Sequence, residues 1–560
     1  MRTVFFAIRV RACPKISLPT KNLLYSSKLL SKIRPRNKLF MSTDSASNAR
    51  PSDDRAFFGH PRGLSTLFFT EMWERFSYYG IRPLLILFMT TALLSGGFGF
   101  SRDEASAIVG IYAASVYLAA LPGGWLADRL FGLRRAIQIG AVLITLGHLS
   151  IGLTAASGTK APFFIGLVLI VLGTGLLKPN ISAIVGDLYP EGGERRDAGF
   201  SIFYMGINLG SFLGQIITGL LGEKIGYEWG FGAAGVGMLA GLIWYTISAK
   251  RTLGNLGLHP TRLADPVAQR KRETQTKMVL WPVVAIIVLV IILASTGVIT
   301  IDPEAVAKYM TIILLGVAVV YFGWIFGFGK LNSDEMKRVA VIAVLFIAAA
   351  IFWAAFEQAP TSLNLFAKDF TDRQFGSFEV PTLWYQSINS VFIIIFAPVF
   401  AALWMYLGKK KINISSPFKF AIGLALAGIG FLLMMYPANF LVATGGAIKV
   451  SGIWLALSYL FQTFGELSLS PVGLSSMTKL SPRRYVGQMM GIWFLASSVG
   501  NLIAGLVGGN VDPNKLDQTP MLFQWTAIAL FGSAIVLAIL AIPIARMMKN
   551  VEDEILPDEA

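Results

Sequence analysis

The 560-residue sequence is poor in the residues on which metal sites and many enzymes depend: it contains one cysteine, Cys13, and three histidines. A single cysteine excludes an internal disulfide framework and a cysteine-ligated metal. The sequence also has no nucleotide-binding glycine-rich loop with a lysine and no serine in a protease-like glycine motif. We therefore expect no catalytic site, no metal and no cofactor.

Acidic residues are absent from residues 1–40, which contain ten Lys or Arg and account for ten of the sixteen net positive charges. The basic balance of the chain therefore gives no indication of nucleic-acid binding. This leader is either a transit peptide or the result of a start codon assigned too early. The second interpretation is favoured, with synthesis beginning at Met41. We expect residues 1–56, a basic leader and a polar tail, to be disordered.

Charge is scarce in the rest of the chain, because only 14% of the residues are charged and 54% are hydrophobic. Apolar runs of about 20 residues are long enough to span a hydrocarbon core of about 30 Å. Fourteen such runs occur, and the chain is therefore predicted to be an all-α membrane protein. The runs lie near 64–92, 104–126, 134–155, 162–185, 198–221, 231–248, 279–298, 307–328, 339–360, 383–407, 418–436, 450–478, 485–508 and 521–547.

The distribution of Lys and Arg predicts the orientation, since basic residues collect in cytoplasmic loops. Each basic cluster follows an even-numbered span, so both termini should be cytoplasmic. The clusters are Arg129, Arg134 and Arg135; Arg195 and Arg196; Lys250, Arg251, Arg270, Lys271 and Arg272; Lys330, Lys337 and Arg338; Lys409 to Lys411; Lys479, Arg483 and Arg484; and Arg546 and Lys549.

The spans fall into two groups of six around an inserted pair. This pattern predicts a six-helix bundle over 57–250, a linker and helix pair over 251–338, a second bundle over 339–548 and a cytoplasmic tail over 549–560. Major facilitator transporters are built in this way, with the substrate site between the halves. The stretch GGWLADRLFGLRRA (123–136) resembles the cytoplasmic loop signature of that superfamily. Asp128 and Arg129 in it are expected to latch helices together.

Four charged residues occupy the first span, in TEMWERFSYYGIRP (70–83). At about 100° per residue, the charged and tyrosine side chains lie within an arc of about 140°. A charge at the bilayer centre costs on the order of 2.5–3.5 kcal/mol, so this stripe indicates a water-filled cavity and paired charges. An ordinary ion pair at a helix end is the alternative. The stripe consists of Glu71, Glu74, Arg75, Tyr78, Tyr79 and Arg82.

Three more charges lie within predicted spans: Lys178 in the fourth, Glu357 in the ninth and Glu466 in the twelfth. A proline that should kink or loosen the helix follows each of them. The basic members, Arg82 and Lys178, belong to the first half of the chain, and the two acidic ones belong to the second. A cavity with one positive and one negative wall suits a substrate with a carboxylate at one end and an ammonium at the other. The carboxylates can also take up protons.

Five stretches resemble the signatures of the proton-coupled oligopeptide transporters (POT/PTR family). They are EMWERFSYYG (71–80), GTGLLKPNISAIVGDLY (173–189), FYMGINLG (203–210), FWAAFEQ (352–358) and GELSLSP (465–471). The resemblance covers about residues 57–548, and the inserted pair resembles that of bacterial members. It implies the major facilitator fold and symport of di- and tripeptides with protons.

The resemblance also implies roles for individual residues. Proton coupling is expected to involve Glu71, Glu74, Arg75, Lys178 and Glu357. Substrate binding is expected to involve Tyr78, Tyr79, Arg82, Tyr117, Lys178, Asn208, Trp353, Glu357, Asn389, Glu466, Trp493 and Ser497. In this scheme Arg82 and Lys178 attract the peptide carboxylate and Glu466 contacts the amino terminus. The expected partners are peptides, protons and membrane lipid, and the chain is expected to function as a monomer.

Two other classes of function remain open from the residues themselves. A related transporter of nitrate, an amino acid or a drug would share the fold. The glutamates of the first span and Glu466 favour proton and amine chemistry, which a nitrate carrier does not need. A membrane-embedded enzyme is the third class, and the sequence contains no catalytic motif for it.

A chain that starts at Met41 should transport as well as the full chain, because the leader contributes no membrane span. Uptake by the two forms, compared at equal surface expression, measures this. Loss of uptake in the shorter form would show that the leader is required.

Overall fold

The computed structural model describes residues 54–410, 412 and 414–555; the predictions for the leader and for residues 556–560 lie outside these ranges. Fourteen long helices occur in the described part, and the expected all-α fold is confirmed. They are α1 (Arg62–Thr90), α2 (Arg102–Leu126), α3 (Leu133–Gly152), α4 (Ala161–Asp187), α5 (Gly193–Lys224), α6 (Tyr227–Thr252), α7 (Pro266–Ser295), α8 (Pro303–Phe328), α9 (Ser333–Phe356), α10 (Thr382–Lys409), α11 (Ser416–Ala443), α12 (Ile453–Leu480), α13 (Val486–Val507) and α14 (Gln518–Ile555).

Twelve helical segments in the described part are long and apolar enough to cross a membrane by composition alone. The two long helices that do not qualify are α1 and α12. Helix α1 carries the four charges of the polar stripe, and α12 carries Glu466 together with many hydroxyl and amide side chains. The two helices that do not qualify thus both carry charged residues that line the site described below.

The helices pack as two bundles, α1–α6 and α9–α14, with the α7–α8 pair inserted between them in the chain. The bundles meet where α2 packs on α13 and where α5 packs on α10. Helix α8 packs against both α2 and α13, and Ala307 lies in a small apolar cluster with Ala107, Ala114 and Leu502. None of the most apolar stretch of helix α7 is buried against other helices, as expected for a helix that faces lipid.

Several helices begin at side chains that cap their free backbone amides. Ser101 and Glu104 form a capping box at the start of α2, and Asn332 and Glu335 form another at the start of α9. Asp265 accepts hydrogen bonds from the first amides of α7. These short polar residues satisfy amides that have no partner within the helix, so they determine where each helix begins.

Helix α9 ends within its span, next to a buried charge. The helix stops at Phe356, and Glu357 follows with φ −77° and ψ 5°, outside helical geometry. A wide turn containing Pro360 occupies 359–363, and a short helix follows over Asn364–Asp369. Proline lacks the amide hydrogen that would continue the ladder. The expected kink is thus an interruption of the α-helical ladder within the span, and Glu357 lies where it begins.

Loops after odd-numbered helices lie on one face of the molecule, here named the odd-loop side. Two small sheets form there. Strand β1 (Thr371–Asp372) pairs in parallel with β4 (Val450–Ser451), and β2 (Gln374–Phe375) pairs antiparallel with β3 (Phe378–Glu379). The first sheet joins the loop after α9 to the loop after α11, so it fastens two helices of the second bundle together.

Glycines allow the closest helix crossings in the first bundle. A Cβ atom at Gly123 of α2 would lie 1.9 Å from the backbone oxygen of Gly175 in α4. No side chain fits in that space, and membrane helices use small residues where backbones approach closely. The neighbouring Gly124 differs, since its nearest contact would be the Cβ of Pro179 at an ordinary 3.8 Å.

Gly123→Ala should therefore destabilise the first bundle, because the added methyl group forces α2 away from α4. Overpacking of this kind costs about 1–3 kcal/mol. Thermal unfolding in detergent measures the effect, and Gly124→Ala is the matched control that should unfold like the unmodified chain. Equal unfolding temperatures for both variants would contradict the close crossing.

Candidate functional site

A cavity of about 270 Å³ lies between the two bundles, close to the lower end of the usual range for small-molecule sites of about 300–1,000 Å³. Most of the predicted site residues line it, while Glu74 and Tyr78 lie behind its wall. Those that line it are Glu71, Arg75, Tyr79, Arg82, Tyr117, Lys178, Asn208, Trp353, Glu357, Asn389, Glu466, Trp493 and Ser497. The four charges expected to share one cavity, Arg82, Lys178, Glu357 and Glu466, therefore do so.

An ion pair between Arg82 and Glu357 crosses the cavity from α1 to the end of α9. The Nη2 atom of Arg82 donates to Oε2 of Glu357. The same nitrogen donates to Oδ1 of Asn501 on α13 at 2.7 Å. All three side chains are at least nine-tenths buried. One guanidinium of the first bundle is thus held by two acceptors of the second, and Asn501 was not among the predicted residues.

A second charged cluster lies within the first bundle. The Nε atom of Arg75 lies 3.1 Å from Oε1 of Glu71 and is also paired with Glu74. The oxygen of Glu74 that pairs with Arg75 is Oε2, and its other oxygen, Oε1, accepts a hydrogen bond from the hydroxyl of Thr174 on α4 at 3.3 Å. The Nη2 atom of Arg75 and Oε2 of Glu71 are buried without a hydrogen-bond partner. Two carboxylates share one cation here, so the cluster has the composition needed to take up a proton.

The Lys178 ammonium has no hydrogen bond or ion pair among the described residues. Its Nζ atom lies 4.4 Å from the centroid of the Tyr117 ring, a cation–π arrangement that fixes the side chain without neutralising its charge. The residue is half-buried and lines the cavity. A free ammonium in this position is suited to receive an anionic group.

On the opposite side of the cavity, Glu466 presents an unmet acceptor. Its Oε2 atom is buried and has no hydrogen-bond partner in the described part of the chain. Asn389 on α10 donates to the hydroxyl of Thr463, which lies one helical turn from Glu466 on α12. Because Arg82 is paired with Glu357, and Arg75 with Glu71 and Glu74, Lys178 and Glu466 are the cavity charges that have no ion pair among the described residues.

The two adjacent tyrosines of α1 have different positions. Tyr79 lines the cavity, whereas Tyr78 is buried behind it and stacks on Tyr112 with ring centroids 6.0 Å apart. The guanidinium carbons of Arg75 and Arg82 lie 5.3 Å and 6.0 Å from the centroid of the Tyr78 ring. In this structure Tyr78 therefore spaces the two arginines and does not face the cavity, because it points towards α2.

Polar residues that the motifs did not identify also line the cavity. They repeat at helical spacing on three helices: Tyr204, Ser211 and Gln215 on α5; Gln386 and Ser390 on α10; and Tyr459, Gln462 and Ser470 on α12. Together with Asn208, Asn389 and Glu466 they form a polar stripe on each helix. Stripes of this kind in apolar segments were the signal available in the sequence.

Some of these polar groups connect the bundles near the cavity. The Nε2 atom of Gln215 donates to Oε1 of Gln386 at 3.1 Å, and Ser390 donates to Ser211 at 2.8 Å. Asn208 uses its Nδ2 atom to bond the backbone oxygen of Tyr204 at 3.0 Å, which leaves its carbonyl oxygen free. The stripes thus both join α5 to α10 and offer hydrogen-bonding groups to the cavity.

Aromatic residues supply the apolar part of the wall. Trp353 and Phe356 come from α9, and Trp493 and Phe494 come from α13. The Trp353 indole nitrogen is buried and has no hydrogen-bond partner. A wall of large flat rings accepts side chains of varied shape, since dispersion and burial do not require a specific partner.

The predicted latch residues lie away from the cavity. Asp128 and Arg129 belong to a wide turn over Ala127–Phe131 after α2. The backbone oxygen of Asp128 accepts a hydrogen bond from the Thr261 amide in the linker at 3.0 Å, and Arg129 lies over the Trp125 ring at 5.0 Å. A role in latching helices remains a prediction.

On the odd-loop side, an acidic residue of the first bundle caps a helix of the second. The Glu223 carboxylate accepts from the Thr382 amide at 2.9 Å, the Thr382 hydroxyl at 2.7 Å and the Leu383 amide at 3.2 Å. These groups form the start of α10, where amides lack partners and negative charge is favoured. The contact joins α5 to α10 across the two bundles.

Ion pairs also hold the two bundles together on the odd-loop side, and these contacts with the Glu223 cap are here called the closure. Arg102 lies 2.7 Å from Asp369 and donates to the backbone oxygen of Val511 at 2.7 Å. Lys224 of the first bundle lies 2.9 Å from Glu379 of the second. The hydrogen bond from Lys224 lowers the pKa of the Glu379 carboxyl, which is therefore charged at neutral pH. The bundles are thus joined by charged groups on the odd-loop side.

Two six-helix bundles that span a membrane and enclose a cavity with free charges of both signs define a membrane transporter of the major facilitator fold. Residues 134–520 match the model of the POT family. The chain is 51% identical over 506 residues to the peptide transporter YePEPT of Yersinia enterocolitica, covering 89% of this chain and 98% of the relative.

Two further comparisons agree. A di-/tripeptide transporter of Lactococcus lactis is 38% identical over 512 residues, covering 89% of this chain and 98% of the relative. The crystal structure of a POT family transporter in complex with a thioalcohol conjugated peptide superimposes with a TM-score of 0.78 at 35% identity, covering 88% of this chain and 98% of that chain. The chain belongs to the POT family and is a transporter, not an enzyme.

Glu223→Ala should weaken the closure on the odd-loop side, because the first amides of α10 lose their acceptors. The loss of a helix cap costs about 0.5–2 kcal/mol. Faster hydrogen exchange at Thr382 and Leu383 measures it. Glu228→Ala, at an exposed glutamate in the first turn of α6, is the matched control and should leave that exchange unchanged. Unchanged exchange in Glu223→Ala would contradict the capping role.

Proposed function

We propose that the chain carries di- and tripeptides together with protons into the cytoplasm by alternating access. The observation that supports this most strongly is the pair of unmet charges in one cavity, the Lys178 ammonium on the first bundle and Glu466 Oε2 on the second. A peptide brings a carboxylate and an ammonium at its two ends. Both ends are common to all peptides, so this arrangement binds many of them.

The remaining polar groups of the wall suit the middle of such a molecule. Asn208 and Asn389 carry carboxamides, which both donate and accept and so complement a peptide bond. The aromatic wall receives the side chains. The cavity thus recognises main-chain and terminal groups by charge and hydrogen bonds, and side chains by apolar contact only.

Proton coupling is assigned to the buried carboxylates. Protonation of Glu357 removes its charge and its ion pair with Arg82, which weakens the closure of the bundles on the odd-loop side. The freed guanidinium is then available to the peptide carboxylate. A group that is paired in one state and protonated in the other provides the different affinity for two states that a driven change requires. The Glu71, Glu74 and Arg75 cluster gives a second place for a proton.

Under this proposal the odd-loop side faces outwards and both termini lie in the cytoplasm of a bacterium. The basic loops after even-numbered helices support this orientation. A membrane potential that is negative in the cytoplasm then contributes about 2.3 kcal/mol per positive charge per 100 mV to uptake. The chain needs no cofactor in this scheme, works with protons and lipid as its partners, and functions as a monomer.

A major facilitator transporter of another small solute is the competing proposal. Nitrate has no ammonium to meet Glu466, whereas an amino acid or a zwitterionic drug has both charges but a shorter or different span. Uptake of a labelled dipeptide into liposomes that contain only this protein, with and without an inward proton gradient, decides between them. Full competition by nitrate or free amino acids, with none by dipeptides, would overturn the peptide proposal.

Glu357→Gln should abolish accumulation driven by a proton gradient and keep peptide exchange between equal pools, because glutamine keeps the shape but cannot titrate. Glu466→Gln should instead lose binding, since its charge meets the substrate ammonium directly. The paired liposome assay measures both, and Glu228→Gln on the exposed surface serves as the control. A Glu357→Gln protein that still concentrates peptide would show that Glu357 has no coupling role.

A further inference from the structure

We infer that Asn501 is a positioning residue for transport: it keeps Arg82 in place when Glu357 is neutral. The inference rests on the proposed function, in which Glu357 alternates between charged and protonated forms. Arg82 cannot lose its charge in the same way, because a guanidinium stays protonated at all working pH values. A neutral Glu357 still has an oxygen that accepts a hydrogen bond, but it no longer offers a charge, so the buried guanidinium then depends more on its other acceptor.

Asn501 has the chemistry for this role. Among the described residues, the acceptors bonded to Arg82 are Glu357 Oε2 and Asn501 Oδ1, and both accept from the same nitrogen, Nη2. A carboxamide does not titrate, so its oxygen accepts equally well before and after a proton reaches Glu357. The Nε atom of Arg82 is buried without a partner, so the guanidinium has no surplus of hydrogen bonds.

The position of Asn501 is fixed independently of Arg82. Its Nδ2 atom donates to the Ser497 backbone oxygen one turn earlier on α13 at 2.9 Å, which directs Oδ1 towards α1. One turn later, Gly505 packs against Gly110 of α2, where an added Cβ would lie 2.8 Å from the facing Cα. Asn501 is itself 1% exposed. The acceptor therefore stands on a continuous helix at a close crossing between the bundles.

The two acceptors of Arg82 thus differ in charge and in the regularity of the helix to which each belongs. Glu357 lies at the broken end of α9, and Asn501 lies within an unbroken helix. The other titratable groups that line the cavity make no hydrogen bond to Arg82 in the described part of the chain; they are Glu71, Arg75, Tyr79, Tyr117, Lys178, Tyr204, Tyr459 and Glu466. With Glu357 neutral, Asn501 is the acceptor that holds Arg82 at the cavity, where it meets the peptide carboxylate.

A double-mutant cycle tests the inference by peptide exchange between equal pools. Asn501→Leu removes the acceptor and keeps the approximate size. In the unmodified background, where Glu357 is charged in part of the transport cycle and then holds Arg82 itself, the KM for a dipeptide should rise less than threefold. In the Glu357→Gln background it should rise about tenfold, the effect of losing a hydrogen bond to a charged group, with kcat changed less than twofold.

A rescue variant distinguishes loss of the hydrogen-bond acceptor from loss of side-chain packing as the cause of the rise in KM. Asn501→Asp keeps an acceptor for Arg82 but loses the donor to Ser497, so in the Glu357→Gln background its KM should lie clearly below that of Asn501→Leu. Asn439→Leu is the matched control, because Asn439 also bonds the backbone oxygen four residues earlier, at 2.9 Å, but is exposed on α11. It should change KM in neither background.

An equal rise in KM in both backgrounds, or no rise in the Glu357→Gln background, would overturn the inference. Failure of Asn501→Asp to rescue would also overturn it. If leucine prevents folding, Asn501→Ala removes the same acceptor in a smaller side chain.

The same double-mutant cycle can be measured by thermal unfolding in detergent without peptide. The unfolding temperature of the double variant should fall by more than the sum of the falls in the two single variants. A wild-type protein that exchanges no dipeptide would refute the proposed function, and this unfolding cycle would still decide the role of Asn501, with additive losses refuting it.

Discussion

The burial of charge in a medium that does not solvate it is the constraint on which this structure depends. An unpaired charge near the bilayer centre is costly, so each buried charge needs a partner or a wet cavity. The Arg82 and Glu357 pair satisfies this need across the gap between two bundles. Its two members belong to opposite halves of the chain, and the halves cannot separate on the odd-loop side without breaking it.

The same constraint accounts for the distribution of polarity among the helices. Charges and polar stripes are concentrated on the faces of α1, α5, α10 and α12 that line the cavity. Helices at the edge, such as α7, are apolar and expose that surface. The helices that are least suited to lipid are therefore those that other helices and the cavity shield from it, which is possible only because the bundles pack around a central space.

The contacts between the bundles suit a molecule that changes shape. On the odd-loop side they are a helix cap by Glu223 and the ion pairs of Arg102 and Lys224. When such polar contacts break, hydrogen bonds to water replace them, so the net cost is modest. Separating an interdigitated apolar core would cost more, because it would expose apolar surface. Within each bundle, crossings such as Gly123 on Gly175 are too close to slide. The polar contacts that join the bundles on the odd-loop side are thus easier to break than these close crossings.

The sequence alone determined the membrane fold, the six-two-six arrangement and 13 of the 27 residues that line the cavity. These features follow from local rules: the length of an apolar run, the helical spacing of a polar stripe and specific motifs such as EMWERFSYYG. The tertiary structure alone decided the partners. Nothing in the local pattern distinguishes Asn501 from other polar residues of α13, or shows that Tyr78 lies behind the wall and Tyr79 lies in it. The partner of a buried charge depends on how two distant helices cross, and that geometry is set by packing across the whole molecule.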